Sequence, residues 1–549
     1  MRKYSFLIIL ILIVGCQAGS QMDQAELLIT EESLLNHIEI LASDEFEGRA
    51  PATRGEELTI DYLVGELERM GIDPGMPDGS YIQEFPLLGQ QVDGETASFV
   101  IRSGNNVTSN LTFSSEFMAW PSNEAETVSI RDAEVVYVGY GIQAPEFDWD
   151  DYKDVDVSGK VLLFKNSDPS HDPEIFEGDA RLYYGRWSYK YEIAEEMGAL
   201  GAIIIHTTPT AGYGWNVVSN SWGRVRFALK SNGMQSENVP EFNSWLTEES
   251  SSRLFNEAGL DLHEMLDAAA SREFRPVTLD GVTIDLDLNA SYSDKSSKNV
   301  VAKIEGNDRS LRDEYVIFSA HHDHLGITEP VNGDSINNGA IDNASGVSAV
   351  LEMANALKVV ENELRRSVKF LFVGAEEMGL LGSRYWSQNP TVEPGKVSAN
   401  INLDSMQPYG ETRDLVLVGS GRNTLTDVFK KHLQEANRVA MPDPRPEQGI
   451  FYRSDHFSFA RIGIPAIYPN PGRDYIDKPD NWAAVADSVN AAIYHTVFDE
   501  INEYWDMSGM ESDVRLIFRV SYDVINRDEM MEWTSGDEFE AARLRSLGN

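Results

Sequence analysis

From residue 299 onward, short apolar runs alternate with stretches whose apolar residues recur at helical spacing. Strands are predicted at 299–304, 315–320, 367–373, 398–403, 415–418 and 464–468, and helices at 346–360, 378–388, 423–436 and 515–525. Val347, Val350, Leu351, Ala354 and Leu357 share one face of the 346–360 helix. Strands that alternate with helices define an α/β fold with a mostly parallel sheet covered by helices on both faces.

The first half reads differently. Leu34, Leu35, Ile38 and Leu41 line one face of a helix over 31–42, and a second amphipathic helix runs over 57–70 to Gly71. The loop 43–57 between them carries Arg49 and Arg54, which read as exposed arginines. Short strands with Ser/Asn turns occupy 95–130. AEVVYVGYGI (133–142) and DVSGKVLLFK (156–165) follow, then a helical KYEIAEEMGALG (190–201) and the run AIIIH (202–206). Residues 207–275 show no clear period, and a further strand is predicted at 282–288. His171 and His206 have no neighbouring ligand types and read as non-catalytic.

At 549 residues, two or three domains are expected. Forty-five basic against 89 acidic residues give a net charge of −44. No basic stripe is available for phosphates, which excludes nucleic acid as a partner. Arg2 and Lys3 precede an apolar core at Leu7–Val14 that is too short to span a bilayer, and Ile13-Val14-Gly15-Cys16 follows. This is similar to a lipoprotein signal peptide at 1–15 whose cleavage leaves a lipidated Cys16 as the new N-terminus, with a polar tether over 16–30. Cys16 is the chain's single cysteine, so no intrachain disulfide can form. The expected location is a bacterial cell envelope, membrane-anchored and facing the periplasm or the exterior. Gln17 rather than Asp after the Cys favours the outer membrane.

The candidate chemistry clusters where strands end. The run Tyr315–Ala320 ends in His321-His322-Asp323-His324, and a Gly/Asn-rich loop then carries Asp342. Glu376-Glu377 follow the strand 367–373, and Asp404 follows NINL. FYRSDHFSF (451–459) offers Tyr452, Asp455 and His456, and YHTVFDE (494–500) offers His495 and Asp499. Each piece alone suits an ordinary polar loop, but their recurrence at successive strand ends describes a site at the carboxyl edge of a sheet.

Together the motifs SAHHDHLG, NGAIDNASG, GAEEMGLLGS, NLDSM, SDHFSFARIGIP and YHTVFDE resemble the co-catalytic di-zinc exopeptidases, the family of bacterial leucyl aminopeptidases and aminopeptidase Y, related to glutamate carboxypeptidase II. The VGYGI and SGKVLL motifs resemble a protease-associated domain inserted into such a peptidase. The resemblance implies residues 31–130 and 276–549 as the peptidase domain and 131–275 as the β-rich insert. It implies two zinc ions, one held by His321, Asp404 and Asp342, the other by Glu377, His495 and the shared Asp342. It further implies Asp323 as the residue orienting His321, and Glu376 as the general base acting on a water between the two ions. Tyr452, Tyr494 and His456 become possible oxyanion or substrate contacts, while His322 and His324 flank the site without binding metal. Ile341 stands where many members carry a second Asp. The implied reaction is removal of N-terminal residues from peptides. A carboxypeptidase, a one-zinc glutaminyl cyclase and a receptor-like binding protein are the alternatives on this scaffold, the full ligand set disfavouring the last two. Oligomeric state and side-chain preference are left open.

Overall fold

The computed structural model describes residues 20–170, 175–223, 225–230 and 238–548. The expected signal peptide, Cys16 and His171 lie outside the described residues. The main sheet is mixed and mostly parallel at its centre. Tyr315–His321 lies between Ser367–Val373 and Val397–Asn402, parallel to both, and Ala466–Pro471 continues the parallel run. Asp414–Val418 and Val439–Pro442 complete one side. On the other side Val277–Ile304 pairs antiparallel with Ser367–Val373, followed by Ile82–Val92 and Arg226–Leu229.

Strand alternation separates two cores. Val316, Phe318 and Ala320 face the helices Glu31–Leu41, Arg54–Met70, Gly346–Val359 and Ser508–Asn526, whereas Ile317 faces the smaller core with Trp386 and Phe459, from the helices Leu381–Gln388 and His456–Arg461. Among the described residues no helix is long and apolar enough to cross a membrane.

Three expectations change. The stretch 282–304 is not two strands parted by a turn but the far end of one 28-residue strand, Val277–Ile304. Its polar middle, Ala290–Lys298, pairs residue by residue with Glu84–Val92, so hydrogen bonding replaces apolar content as its reason for being extended. The second, β-rich body therefore begins at Ser98 rather than near 131. Ser98–Ser103 and Thr127–Tyr137 both pair with the first half of the long strand, which places residues up to 289 in this body instead of ending it at 275. Val161–Lys165, Gly201–His206 and Phe242–Thr247 extend it in parallel. The tether expected over 16–30 is, from Ser20 on, a capped helix, Gln21–Glu26, whose Ala25 is buried against the main core together with Ile29.

Arg49 is not the exposed arginine its loop suggests. It is 1 % exposed, and its guanidinium donates to four carbonyls: Leu41 at 2.7 Å, His322 at 3.1 Å, Asn338 at 2.6 Å and Gly339 at 2.8 Å. Gly48 beside it has φ +65°, and a Cβ there would meet the Asn337 carbonyl at 2.4 Å. Arg49 thus ties the N-terminal helices to the two loops that deliver His321 and Asp342. Because hydrogen bonds to a charged group contribute about 1.5–3 kcal/mol each and their acceptors would be stranded, Arg49→Met is expected to cost about 3 kcal/mol or more. Comparison of melting curves of parent and variant checks this; an unchanged melting temperature rules it out.

Candidate metal centre

The three central parallel strands end side by side, with His321 level with Val373 and Ser319 level with Asn402. The residues just past each end therefore converge. His321 closes its strand. Glu376 and Glu377 follow Val373 after Ala375, which takes φ +56°, and Asp404 follows Asn402, with Ser405 at φ +51°.

Asp342 arrives from a different direction and is held by its neighbours. The Asp342–Asn343 peptide is cis. Asn343, fully buried, donates to the carbonyls of His321 and Leu403 and accepts from the Gly346 and Ser405 amides. Asp499 accepts from the Ile341 and Asp342 amides, both at 3.0 Å. The sequence offers Asp499 as a candidate beside His495 but not its task; two consecutive buried amides are what require it, and those become visible only in three dimensions.

The donors meet as follows. His321 Nε2 lies 3.2 Å from Asp342 Oδ1 and 3.4 Å from Asp404 Oδ1. His495 Nε2 lies 3.1 Å from Asp342 Oδ2 and 3.1 Å from Glu377 Oε2. Asp342 thus offers one oxygen to each group. Among the described residues, donor atoms of His321, Asp342 and Asp404 lie within 4.8 Å of one another, as do those of His324, Asp342 and Glu377. His324, expected to flank the site, enters it: its Nδ1 is 2.8 Å from Glu377 Oε1, and its Nε2 is buried without a partner.

The Asp323 carboxylate lies 3.9 Å from His321 Nδ1 and has a further part beside orienting that imidazole. The carboxylate accepts from the Glu376 amide at 2.9 Å and the Glu377 amide at 3.3 Å, while its backbone carbonyl sits 3.2 Å from His321 Nδ1. Ser454, unnoticed in the sequence beside Asp455 and His456, donates to Asp404 and accepts from Asn402. Of the three possible substrate contacts, only Tyr494 lines the cleft, its ring stacked on His495 at 3.9 Å. The Tyr452 hydroxyl is buried, bonded to Arg422 and Glu538. His456 is packed between Phe451 and Tyr468, and burial lowers its imidazole to about 3, so it is neutral there.

Electrostatics divides the adjacent glutamates. Burial, then the charges of Glu377, Asp455 and Asp404 against that of His321, raises Glu376 well above the usual carboxylate range. Burial would raise Glu377 too, but the charge of His495 and hydrogen bonds from His324 and His495 bring it down to about 2. Asp342 is likewise held well below its ordinary value: hydrogen bonds from His321 and His495 outweigh burial. For the imidazoles burial alone would lower proton affinity; the charges of Glu376 and Asp404 on His321, and of Glu377 on His495, raise both instead. Imidazole nitrogens and carboxylate oxygens around a shared carboxylate suit zinc, and buried carboxylates this close repel without cations between them.

Residues 299–516, which contain every donor named above, match the model of peptidase family M28. Leupeptin-inactivating enzyme 1 of Streptomyces exfoliatus is 30% identical over 179 residues, 32% of this chain and 39% of that protein. Aminopeptidase YwaD of Bacillus subtilis is 25% identical over 240 residues, 44% and 47% of the two chains. The probable lipoprotein aminopeptidase LpqL of Mycobacterium tuberculosis is 26% identical over 233 residues, 39% and 43%. The chain spans about half or less of the length of these relatives. An aminopeptidase from Aneurinibacillus sp. strain AM-1 shares the fold, with a TM-score of 0.52 at 18% identity over 93% of this chain and 97% of that one.

The pH dependence of metal binding follows. His321 and His495 have raised values in the folded, metal-free chain, so their contribution is complete below the ordinary imidazole value of about 6.5 and is lost as pH rises through the raised one. Zinc must displace those protons. Adding zinc to chelator-treated protein should therefore raise the melting temperature more at about pH 8.5 than at about pH 6. Equal shifts at the two pH values would contradict this.

Proposed function

We propose that the chain is a zinc-dependent aminopeptidase that removes N-terminal residues from peptides. One ion is assigned to His321, Asp342 and Asp404, and a second to Asp342, Glu377 and His495, with His324 hydrogen-bonded to Glu377. The observation that carries the reading is geometric: Asp342 turns one oxygen to His321 and Asp404 and the other to His495 and Glu377, with the adjacent Glu376 left outside both groups. A carboxylate with high proton affinity beside one kept ionised is how one site holds both a base and a ligand.

Zinc, when bound, would supply the positive charge that lets a water lose its proton near neutral pH. Glu376 takes that proton as the water oxygen attacks the peptide carbonyl, and gives it to the departing amine as the C–N bond breaks. Asp323 fixes the backbone of both glutamates, so Glu376 stays aimed while Glu377 stays in the donor set. Tyr494, exposed at the cleft over His495, is the candidate hydrogen-bond donor to the developing oxyanion.

Glu376→Gln should retain two zinc ions per chain while kcat falls by about 10²–10⁴, whereas Glu377→Gln should lose one ion. Metal analysis and aminoacyl-anilide hydrolysis on both variants test this, with N-acetylated substrates as the control for a free-amine requirement. Near-normal activity in both variants would remove the mechanism, and hydrolysis of the N-acetylated substrates would point to a carboxypeptidase or endopeptidase instead.

The anchor is a separate part of the proposal: lipidation at Cys16 would hold the peptidase at a bacterial envelope membrane. The lipobox-like Ile13-Val14-Gly15-Cys16 and the similarity to a protein named a lipoprotein aminopeptidase support it. Cys16→Ser should leave the membrane fraction and keep residues 1–15. Unchanged fractionation with a mature N-terminus elsewhere would discard the anchor.

A further inference from the structure

The cleft above the donor set, about 710 Å³, has a basic wall in a chain with almost twice as many acidic as basic residues. Arg186 reaches it from the second body, and Arg445, Arg453 and Arg473 from the peptidase part. Arg473 is accounted for by a forked pair with Asp487 at 2.5 and 2.6 Å. Arg445 is exposed and lies in the fields of Asp443 and Asp487. Arg186 and Arg453 are not accounted for: among the described residues neither makes an ion pair, and the Arg186 Nε is buried without a hydrogen-bond partner. Arg181, directly behind, donates to the Thr210 carbonyl and also leaves its Nε unpartnered.

Burial, and then the like charge of Arg453, pulls the Arg186 guanidinium down to about 10, still charged at neutral pH. A half-buried guanidinium beside two others is unfavourable unless an anion completes it. The arm that presents it is fixed beforehand. Asp168 accepts from the Leu182 amide at 2.8 Å, and the fully buried Lys190 donates to the carbonyls of Tyr140, Ser167 and Tyr184. The Arg181 amide donates to the Pro446 carbonyl, which joins the arm to the peptidase part. A rigid arm that holds an unpaired guanidinium over a catalytic cleft is preorganised for a ligand.

Resting on the peptidase reading, we infer that Arg186 and Arg453 form a subsite for a free carboxylate of the substrate. A planar guanidinium fork matches a carboxylate's two oxygens. A cleft of this volume suits a ligand of a few residues, so the carboxylate most readily brought into it is the C-terminus of a short peptide. An Asp or Glu side chain is the other source of the same group. The enzyme is then a peptidase of short, C-terminally free peptides, and the second body supplies part of the specificity.

The test compares kcat/KM for leucyl-glycyl-glycine, its C-terminal amide, leucyl-glutamyl-glycinamide and leucyl-p-nitroanilide. The parent should prefer the free acid to its amide by about 10–100-fold, the worth of one charge-assisted contact. R186Q and R453Q should each shrink that ratio, and R186K should retain part of it; Arg453 is exposed, so its variant keeps the test independent of any folding defect in R186Q. Recovery of the preference by the glutamyl amide assigns the group to a side chain; failure to recover it assigns the C-terminus. A parent that hydrolyses the anilide without preferring acid over amide overturns the subsite and leaves the peptidase reading intact, as do arginine variants that slow acid and amide equally. A parent with intact zinc that hydrolyses none of the four overturns the peptidase reading, and the subsite with it.

Discussion

Mutual repulsion of buried carboxylates is the constraint around which the peptidase part is built. Asp342, Glu376, Glu377 and Asp404 meet at one sheet edge, with Asp323, Asp455 and Asp499 close behind, and all but a few of their atoms are shielded from water. Such a cluster is costly unless its carboxylates have donors or cations nearby or take up a proton, as at Asp455, whose oxygens have no hydrogen-bond partner among the described residues and which burial pushes up to about 7. The local structure supplies the donors. Asp323 receives the Glu376 and Glu377 amides, Asp499 receives those of Ile341 and Asp342, and Ser454 is oriented by Asn402 to serve Asp404. What remains is carried by His321, His324 and His495 and by the guanidinium of Arg49, and the clustered donors could hold a metal ion.

Arg49 shows how far the support extends. It touches no carboxylate, yet Asp499, Asp323, Asp342 and Glu377 all raise its proton affinity against the opposing effect of burial. It therefore acts twice, as a staple for four carbonyls and as a fixed positive charge behind the site. A helix–loop–helix far from the donors in sequence thus becomes part of the floor of the candidate site.

Of the candidate donors, His321, Glu377 and Asp404 were legible because each closes or closely follows an apolar strand, and strand ends are what periodicity marks best; Asp342 and His495, which follow a loop and a helix, were legible only through the family resemblance. The supporting groups were not. Arg49 and Ser454 look like ordinary loop residues, and Asp499 acquires its purpose only from two amides more than 150 positions away. Tyr452 and His456 fail for the converse reason. They lie within a motif that lines the site, but the short turn Ile450–Tyr452 carries Tyr452 to Arg422 and Glu538, and the helix His456–Arg461 packs His456 between Phe451 and Tyr468. The polar middle of the long strand carries no apolar alternation, so its extended form depends on a partner strand that sequence cannot display. The second body's early boundary was hidden for the same reason.

That long strand has a mechanical meaning. Val277–Ile304 gives its first half to one sheet and its second half to the other, without an intervening loop. Two bodies joined by flexible linkers can swing; two bodies that share a continuous hydrogen-bonded beam can only twist it. The body that carries Arg186 is therefore joined to the main sheet by a strand whose last residues, Val300–Ile304, pair with the strand leading to Glu376. The basic wall and the acidic floor of the cleft are thus connected through one uninterrupted strand.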